Sequence, residues 1–163
     1  MAAPKEIVEF EGEADAIVRR HMVYAMAGGA LPVPFLDLTT ITAVQLDMLK
    51  QLAKHHDAPF DSRSAKAFVT TTTSALAGNV LARIGSSALK MVPGVGTVVG
   101  GVAQILFTGA STYALGRYFN NVFAQKEPVE EIDIRGAKEH IRRYYERGKE
   151  IARSMGPGRK AGK

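Results

Sequence analysis

Apolar positions recur at three- and four-residue spacing along most of the chain, and the pattern predicts five helices. Between Ala14 and Ala30, the residues Ile17, Val18, Met22, Ala25 and Met26 share one face, with Arg19 and Arg20 on the other. Gly28 and Gly29 weaken the end of this helix, and Pro32 and Pro34 stop it. Asp37 is a natural N-cap for a second helix reaching about His56. Its buried face would be Leu38, Ile41, Met48, Leu49 and Leu52, with Gln45 inside the stripe. His55 to Pro59 forms a turn, and Asp61 or Ser62 caps a third helix from about Arg63 to Val92. A fourth runs from about Val95 to Ala124. Pro93-Gly94 between them leaves room only for a hairpin turn, so these two should lie antiparallel. A fifth helix, about Ile134 to Met155, places Ala137, Ile141, Tyr144, Gly148, Ile151 and Met155 on one stripe.

No strand alternation survives outside these segments. The expected fold is all-α, a five-helix bundle around a central glycine-rich antiparallel helical hairpin. Along the chain this gives a flexible arm over 1–12 and a helical domain over 13–125 that contains the hydrophobic hairpin 63–124. An amphipathic basic helix follows over 126–155, then a disordered basic tail over 156–163.

The third and fourth helices carry small residues at four-residue intervals. They are Ser74, Gly78, Ala82 and Ser86 in one, and Gly96, Gly100, Gln104, Thr108, Thr112 and Gly116 in the other. Residues four apart share a helix face, and small ones let two backbones approach closely. Glycine inside a helix costs roughly 1 kcal/mol against alanine, so the six glycines from Gly94 to Gly116 imply close packing in return. The two stripes are the expected helix-packing interface. Leucine at Gly100 should disrupt it more than leucine at Ala103.

Charge changes the picture most in this region. No charged residue occurs from Met91 to Gly116, and no Asp or Glu between Asp61 and Glu127. Residues 1–66 carry 7 basic and 9 acidic side chains, residues 67–125 only Arg83, Lys90 and Arg117, and residues 126–163 carry 11 basic and 7 acidic ones. A middle third without acids must be covered by the protein itself, by another copy, or by lipid. A span over Gly94–Gly116 would be roughly 34 Å of helix, long enough to cross a bilayer. Its strong apolar residues contribute about −4 kcal/mol on insertion scales, and its polar residues and glycines offset much of that. Arg83 would fall near mid-bilayer at a cost of about 2.5–3.5 kcal/mol, so a clean two-span hairpin is marginal.

The basic C-terminal part favours anionic partners. Arg135, Lys138, Arg142, Arg143, Arg147 and Arg153 are the expected contacts to lipid headgroups or to an acidic partner. Nucleic-acid binding is disfavoured, because Glu139, Glu146 and Glu150 are interleaved and the tyrosines at 144 and 145 belong to or border the apolar stripe. The acidic run Glu6 to Asp15 does not have the order of a signal peptide.

The chain has no Cys, which excludes disulfides, thiolate catalysis and cysteine zinc sites. His55 and His56 are adjacent and cannot act as an i, i+4 ligand pair. His21 sits in an apolar stripe as a packing residue, and His140 on a charged helix. Thr70 to Thr73 have no readable His/Asp arrangement beside them, and hydroxyls in an apolar helix usually bond back to the preceding turn. No catalytic, cofactor-binding or metal-binding residue is assigned, and no cofactor is expected. Gln45 is expected to be a buried hydrogen-bond partner, reaching a polar group such as Gln104.

Three blocks carry a family resemblance: Val33 to Leu38 followed by Gln45 to Leu49 and Leu52-Ala53, then Lys90 to Thr97, then Thr112 to Phe119. Their order resembles the YcjF-type family of uncharacterised bacterial helical domains, over about Ala14 to Phe123. Such domains often follow a small GTPase or occur in predicted inner-membrane proteins. The resemblance thus implies membrane association beside a GTPase system. The chain has no G-x-x-x-x-G-K-[ST], so any GTPase would be a separate partner. The expected function is a non-enzymatic, membrane-associated helical scaffold at the bacterial inner membrane or its cytoplasmic face, acting on lipid, a partner or a second copy. The alternative is a soluble cytoplasmic bundle that binds an acidic protein or nucleic acid through its fifth helix.

Overall fold

A computed structural model describes residues 12–30, 38–88 and 95–156. They form α1 (Glu13–Gly29), α2 (Leu38–His55), α3 (Ser62–Ala88), α4 (Val95–Ala124) and α5 (Ile134–Met155), with a 3-10 turn at Val129–Glu131 before the last. The class is all-α, and no strand occurs among the described residues. The arm before Gly12, the Asp37 cap, the Pro93-Gly94 turn and the tail from Pro157 lie outside the described residues.

Local signals set the helix ends. Asp61 caps α3, its carboxylate accepting the Ser64 N–H at 2.7 Å. Asp133 caps α5 by accepting the N–H groups of Arg135 and Gly136, both at 3.0 Å. α2 and α4 both end on a non-glycine residue in the left-handed region, Asp57 at φ 51° and Lys126 at φ 57°. Each completes the paired terminal bonds of a helix stop, Ala58 N–H to Ala53 O at 2.9 Å and Glu127 N–H to Val122 O at 3.1 Å. The two ends are also tied together, because the Lys126 ammonium donates to His56 O and Asp57 O at 3.0 Å each. A cation there also suits the negative end of the α2 dipole.

α4 is the axis of the bundle. From Phe107 to Phe123 its Ala110, Tyr113, Ala114, Leu115, Phe119 and Val122 are all buried. It packs most extensively against α5 and α1, next against α2, and only lightly against α3. α3 and α4 run antiparallel as expected. Phe60 meets Phe123 at 6.4 Å between ring centroids, and Phe68 meets Phe119 at 5.1 Å. The centre of the fold is therefore α4 enclosed by α1, α2 and α5, with α3 towards one side.

This arrangement answers the acid-free run in part. No helix among the described residues is long and apolar enough to cross a membrane, which corrects the expectation of a transmembrane helix. From Phe107 onward the buried apolar residues of α4 are spent on protein contacts, while Val102 is exposed. The one charged residue of α4 is neutralised from elsewhere in the bundle. Arg117 pairs with Asp15 of α1 at 2.6 Å, both partly buried, so an acid of α1 meets the cation of α4.

The fifth helix belongs to the same core. Ala137, Ile141, Tyr145, Gly148 and Ala152 are buried, while Tyr144, Ile151 and Met155 are only partly so. The stripe is thus rotated by about one residue from its expected position. Tyr145 rather than Tyr144 faces α4, where it meets Phe107 at 6.2 Å between ring centroids.

Candidate functional site

The core holds one polar hub. Gln45 is fully buried on α2. Its carbonyl oxygen accepts from the Thr73 hydroxyl of α3 at 2.9 Å. Its amide donates to Ser111 Oγ at 3.2 Å and more weakly to Thr112 Oγ1 at 3.4 Å, both on α4. The partners are therefore hydroxyls of α3 and α4 rather than Gln104. Buried polar groups need such partners, and no buried side-chain nitrogen or oxygen among the described residues lacks one. Thr108 and Ser111 also bond back along α4, to Ile105 O at 2.9 Å and Thr108 O at 3.3 Å. These hydroxyls hold helices together.

A second polar chain closes the α1–α2 seam. His21 is buried, with Nδ1 2.8 Å from Ile17 O and Nε2 3.0 Å from an Asp47 carboxylate oxygen. Gln51 donates to the same oxygen at 2.8 Å, and Arg20 donates to Gln51 at 2.6 Å. The Asp47 carboxyl is held below the usual carboxylate range, first by the His21 hydrogen bond; partial burial opposes this, and the weaker Gln51 hydrogen bond adds to the lowering. A depressed folded-state pKa contributes stability above the unfolded value and loses it as pH falls through the folded one. The seam should therefore weaken below about pH 4. Asp47→Asn should cost a few tenths to about 1 kcal/mol at neutral pH, small because Asp47 is exposed. Urea titrations from pH 2.5 to 7 check this. The variant should show a flatter acid limb than the natural chain, and parallel limbs would remove Asp47 from the account.

The predicted small-residue stripes are placed as follows. Ser74, Gly78 and Ala82 are exposed on α3, and a methyl group at Gly78 would meet nothing within 4 Å. On α4, Gln104 is partly buried, and Thr108, Thr112 and Gly116 are buried. A methyl at Gly116 would lie 2.8 Å from Val18 and 3.1 Å from Met48, on α1 and α2. Thr108 sits 2.8 Å from the corresponding point of Gly29 on α1. Thr108 and Gly116 of α4 thus face α1 and α2, while Ser74, Gly78 and Ala82 of α3 face outward. Ser86, Gly96 and Gly100 lie outside the residues whose surroundings are described. Two close approaches were not anticipated by the stripes. Gly109 faces Met26 and Ala152, and Gly148 faces the α4 backbone at Ala110. The missed signal was a glycine inside the α5 apolar stripe.

The basic residues of α5 do form one outward set. Arg135, Lys138, Arg142, Arg143, Arg147 and Arg153 are all exposed. Several are paired along the helix, Arg142 with Glu139 at 3.2 Å and Arg147 with Glu150 at 2.7 Å, which moderates their field. The neighbouring face of α3 differs from a usual solvated surface. Its exposed residues from Ala67 to Ala82 (Ala, Thr, Ser, Gly and Asn) include no charge.

A cavity of about 450 Å³ lies where α4 meets the start of α5, lined by Tyr118, Glu127, Asp133, His140 and Tyr144 among others. Burial pushes the Tyr118 hydroxyl up, with Glu127 and Asp133 adding to the effect. Its polar groups have structural tasks, Asp133 as the α5 cap and Tyr144 as acceptor from Asn121 at 2.9 Å. Among the described residues, no three His, Asp or Glu side chains could together hold a metal ion.

The profile of a domain of unknown function, DUF697, matches residues 7–150. The chain belongs to this family. The match covers α1 to α4 and α5 as far as Glu150, so the DUF697 domain includes most of the basic α5 as well as the glycine-bearing α4. Over 144 residues the chain is 26% identical to a protein named Magnetosome membrane protein 22 from Magnetospirillum gryphiswaldense, covering 85% of this chain and 72% of that one. No solved structure matches the chain. That relative is named as a membrane protein.

Proposed function

We propose that this DUF697 domain is a non-enzymatic helical scaffold that associates with an anionic membrane surface through its α3–α5 side. One observation carries the reading: the uncharged exposed stretch of α3 and the basic α5 line one seam, with Thr71, Ala75 and Asn79 across from Lys138 and Arg142. A membrane interface accommodates small uncharged groups at headgroup depth and attracts Lys and Arg around them, each worth about 1 kcal/mol near an anionic surface. The relative named as a membrane protein supports the same direction. Attachment would be peripheral, at the cytoplasmic face of a bacterial membrane. A separate GTPase, implied by the YcjF-type resemblance, and a second copy of the chain are the protein partners this reading accommodates.

Vesicle flotation tests it. The full chain should float with vesicles containing anionic phospholipid and much less with neutral ones, and the difference should shrink as salt is raised. Arg135→Gln, Arg143→Gln, Arg147→Gln and Arg153→Gln combined should weaken anionic-vesicle binding by about tenfold or more. All four side chains are exposed, so stability should change little. No flotation under any of these conditions would favour the rival reading, a bundle that binds an acidic protein through α5. Shortening the chain to Ala124 would not be informative, because it would strip Val129 and the five buried residues of α5 from the core.

A further inference from the structure

Two cavities of about 240 Å³ each lie end to end along the seam between α3 and α5. They share Leu76, Asn79 and Arg142, so they form one groove. Together they fall in the size range of small-ligand sites, about 300–1,000 Å³. The groove exists because α3 and α5 both pack on α4 but scarcely touch each other. Its floor is apolar, with Val80 of α3, Leu106 and Phe107 of α4, and Ile141 of α5. The charges along it are Lys138, Arg142 and Lys149 against a single acid, Glu146. All four come from α5, since α3 and α4 contain no Asp or Glu. Lys149 pairs with Glu146 at 2.5 Å, its ammonium 5.7 Å from the centre of the Tyr145 ring, so the groove's one acid is taken up, and Lys138 makes no ion pair within 4.0 Å among the described residues.

From this juxtaposition we infer that the groove takes one acyl chain of an anionic phospholipid, with the phosphate at Lys138 and Arg142. The apolar floor accepts the chain, and the rim excess of positive charge selects the headgroup. Partial ion pairing within α5 leaves Lys138 as the principal attracting charge and Arg142 as a donor with spare N–H groups. The inference deepens the membrane-association reading and rests on it for the source of the lipid. The occupied groove would turn a surface attraction into a defined site at which a lipid is held edge-on to the bundle. Leu76, Asn79 and Lys149 are residues that sequence patterning did not single out, because they matter only through the splay of α3 from α5.

Titration of the isotope-labelled full chain with short-chain, monomeric dihexanoyl-phosphatidylglycerol, followed by amide NMR, tests it. The expected result is saturable shifts centred on residues 71–80 and 134–149, with neutral dihexanoyl-phosphatidylcholine at least about tenfold weaker. Lys138→Gln with Arg142→Gln should bring the anionic lipid down to the neutral level, while shifts elsewhere in the spectrum show that the fold is kept. Shifts scattered over the surface, equal affinity for both lipids, or no shifts at all would overturn the groove. Shifts at the same residues on raising protein concentration without lipid would assign it to a second copy and also overturn the inference. Flotation separates the two readings. Vesicle binding without groove shifts rejects the groove alone, and groove shifts without vesicle binding reject the membrane surface alone.

Discussion

Gly148→Leu is expected to lower the stability of the bundle by about 3 kcal/mol or more, whereas Gly78→Ala should raise it by about 0.5–1 kcal/mol. A methyl group at Gly148 would lie 2.9 Å from Ala110 O, 3.0 Å from Ala110 Cα and 3.0 Å from Tyr113 Cδ1. Two of these atoms are backbone, so no rotamer change relieves the contact, and α5 must lift from α4. That interface is the most extensive in the fold. Gly78 is also a helix-interior glycine, but it is exposed and its missing side chain faces open space. Alanine there reduces the entropy lost on folding and collides with nothing. Alanine at Gly148 sets an overpacking cost of about 1–3 kcal/mol against a propensity gain of about 1 kcal/mol, so it should be neutral to destabilising. For a chain of this size each kcal/mol moves the thermal midpoint by roughly 2–4 °C. Calorimetry on the three variants checks the ordering. A stable Gly148→Leu protein would mean that α5 does not approach α4 as closely as described.

The same two glycines show what could be learned from sequence and what could not. Apolar spacing placed the helices well, and α4 and α5 have the expected bounds because Pro, Gly and Asp residues punctuate them. The buried faces of α1 and α2 were also legible, since each helix is amphipathic on its own. Which helix fills which groove was not. Gly78 and Gly116 belong to visually equivalent small stripes, yet one faces solvent and the other receives Val18 and Met48. Spacing along one helix says that a face is smooth and does not name the neighbour. The acid-free run was ambiguous for a related reason. One of its cations, Arg117, is answered by Asp15, which is 102 positions away in the chain. The basic face of α5 was legible residue by residue. The groove beside it was not, because it depends on the distance between two helices that meet only through α4.

Gln45→Leu is expected to destabilise the bundle by about 2–4 kcal/mol even though leucine fills nearly the same volume. The substitution removes the acceptor of Thr73 and the donor to Ser111 and Thr112. Thr73, Ser111 and Thr112 are all buried, so water cannot replace the lost bonds without opening the core. Each orphaned buried polar group costs about 1–3 kcal/mol. Ser111 retains its bond to Thr108 O, and the Thr112 contact is long, so the total stays below three full penalties. Removing the partners as well, through Thr73→Val, Ser111→Ala and Thr112→Val in the Gln45→Leu background, should recover most of the loss, because an apolar set of similar shape leaves nothing unpaired. Urea unfolding of the single and quadruple variants measures both steps. Recovery in the quadruple variant would show that the hub contributes little net stability of its own and instead fixes how α2, α3 and α4 register against one another. In that case the variant should fold but show broadened NMR signals around positions 45, 73 and 111. If the quadruple variant is less stable than Gln45→Leu alone, the hydroxyls are making contacts beyond the glutamine, and the hub account fails.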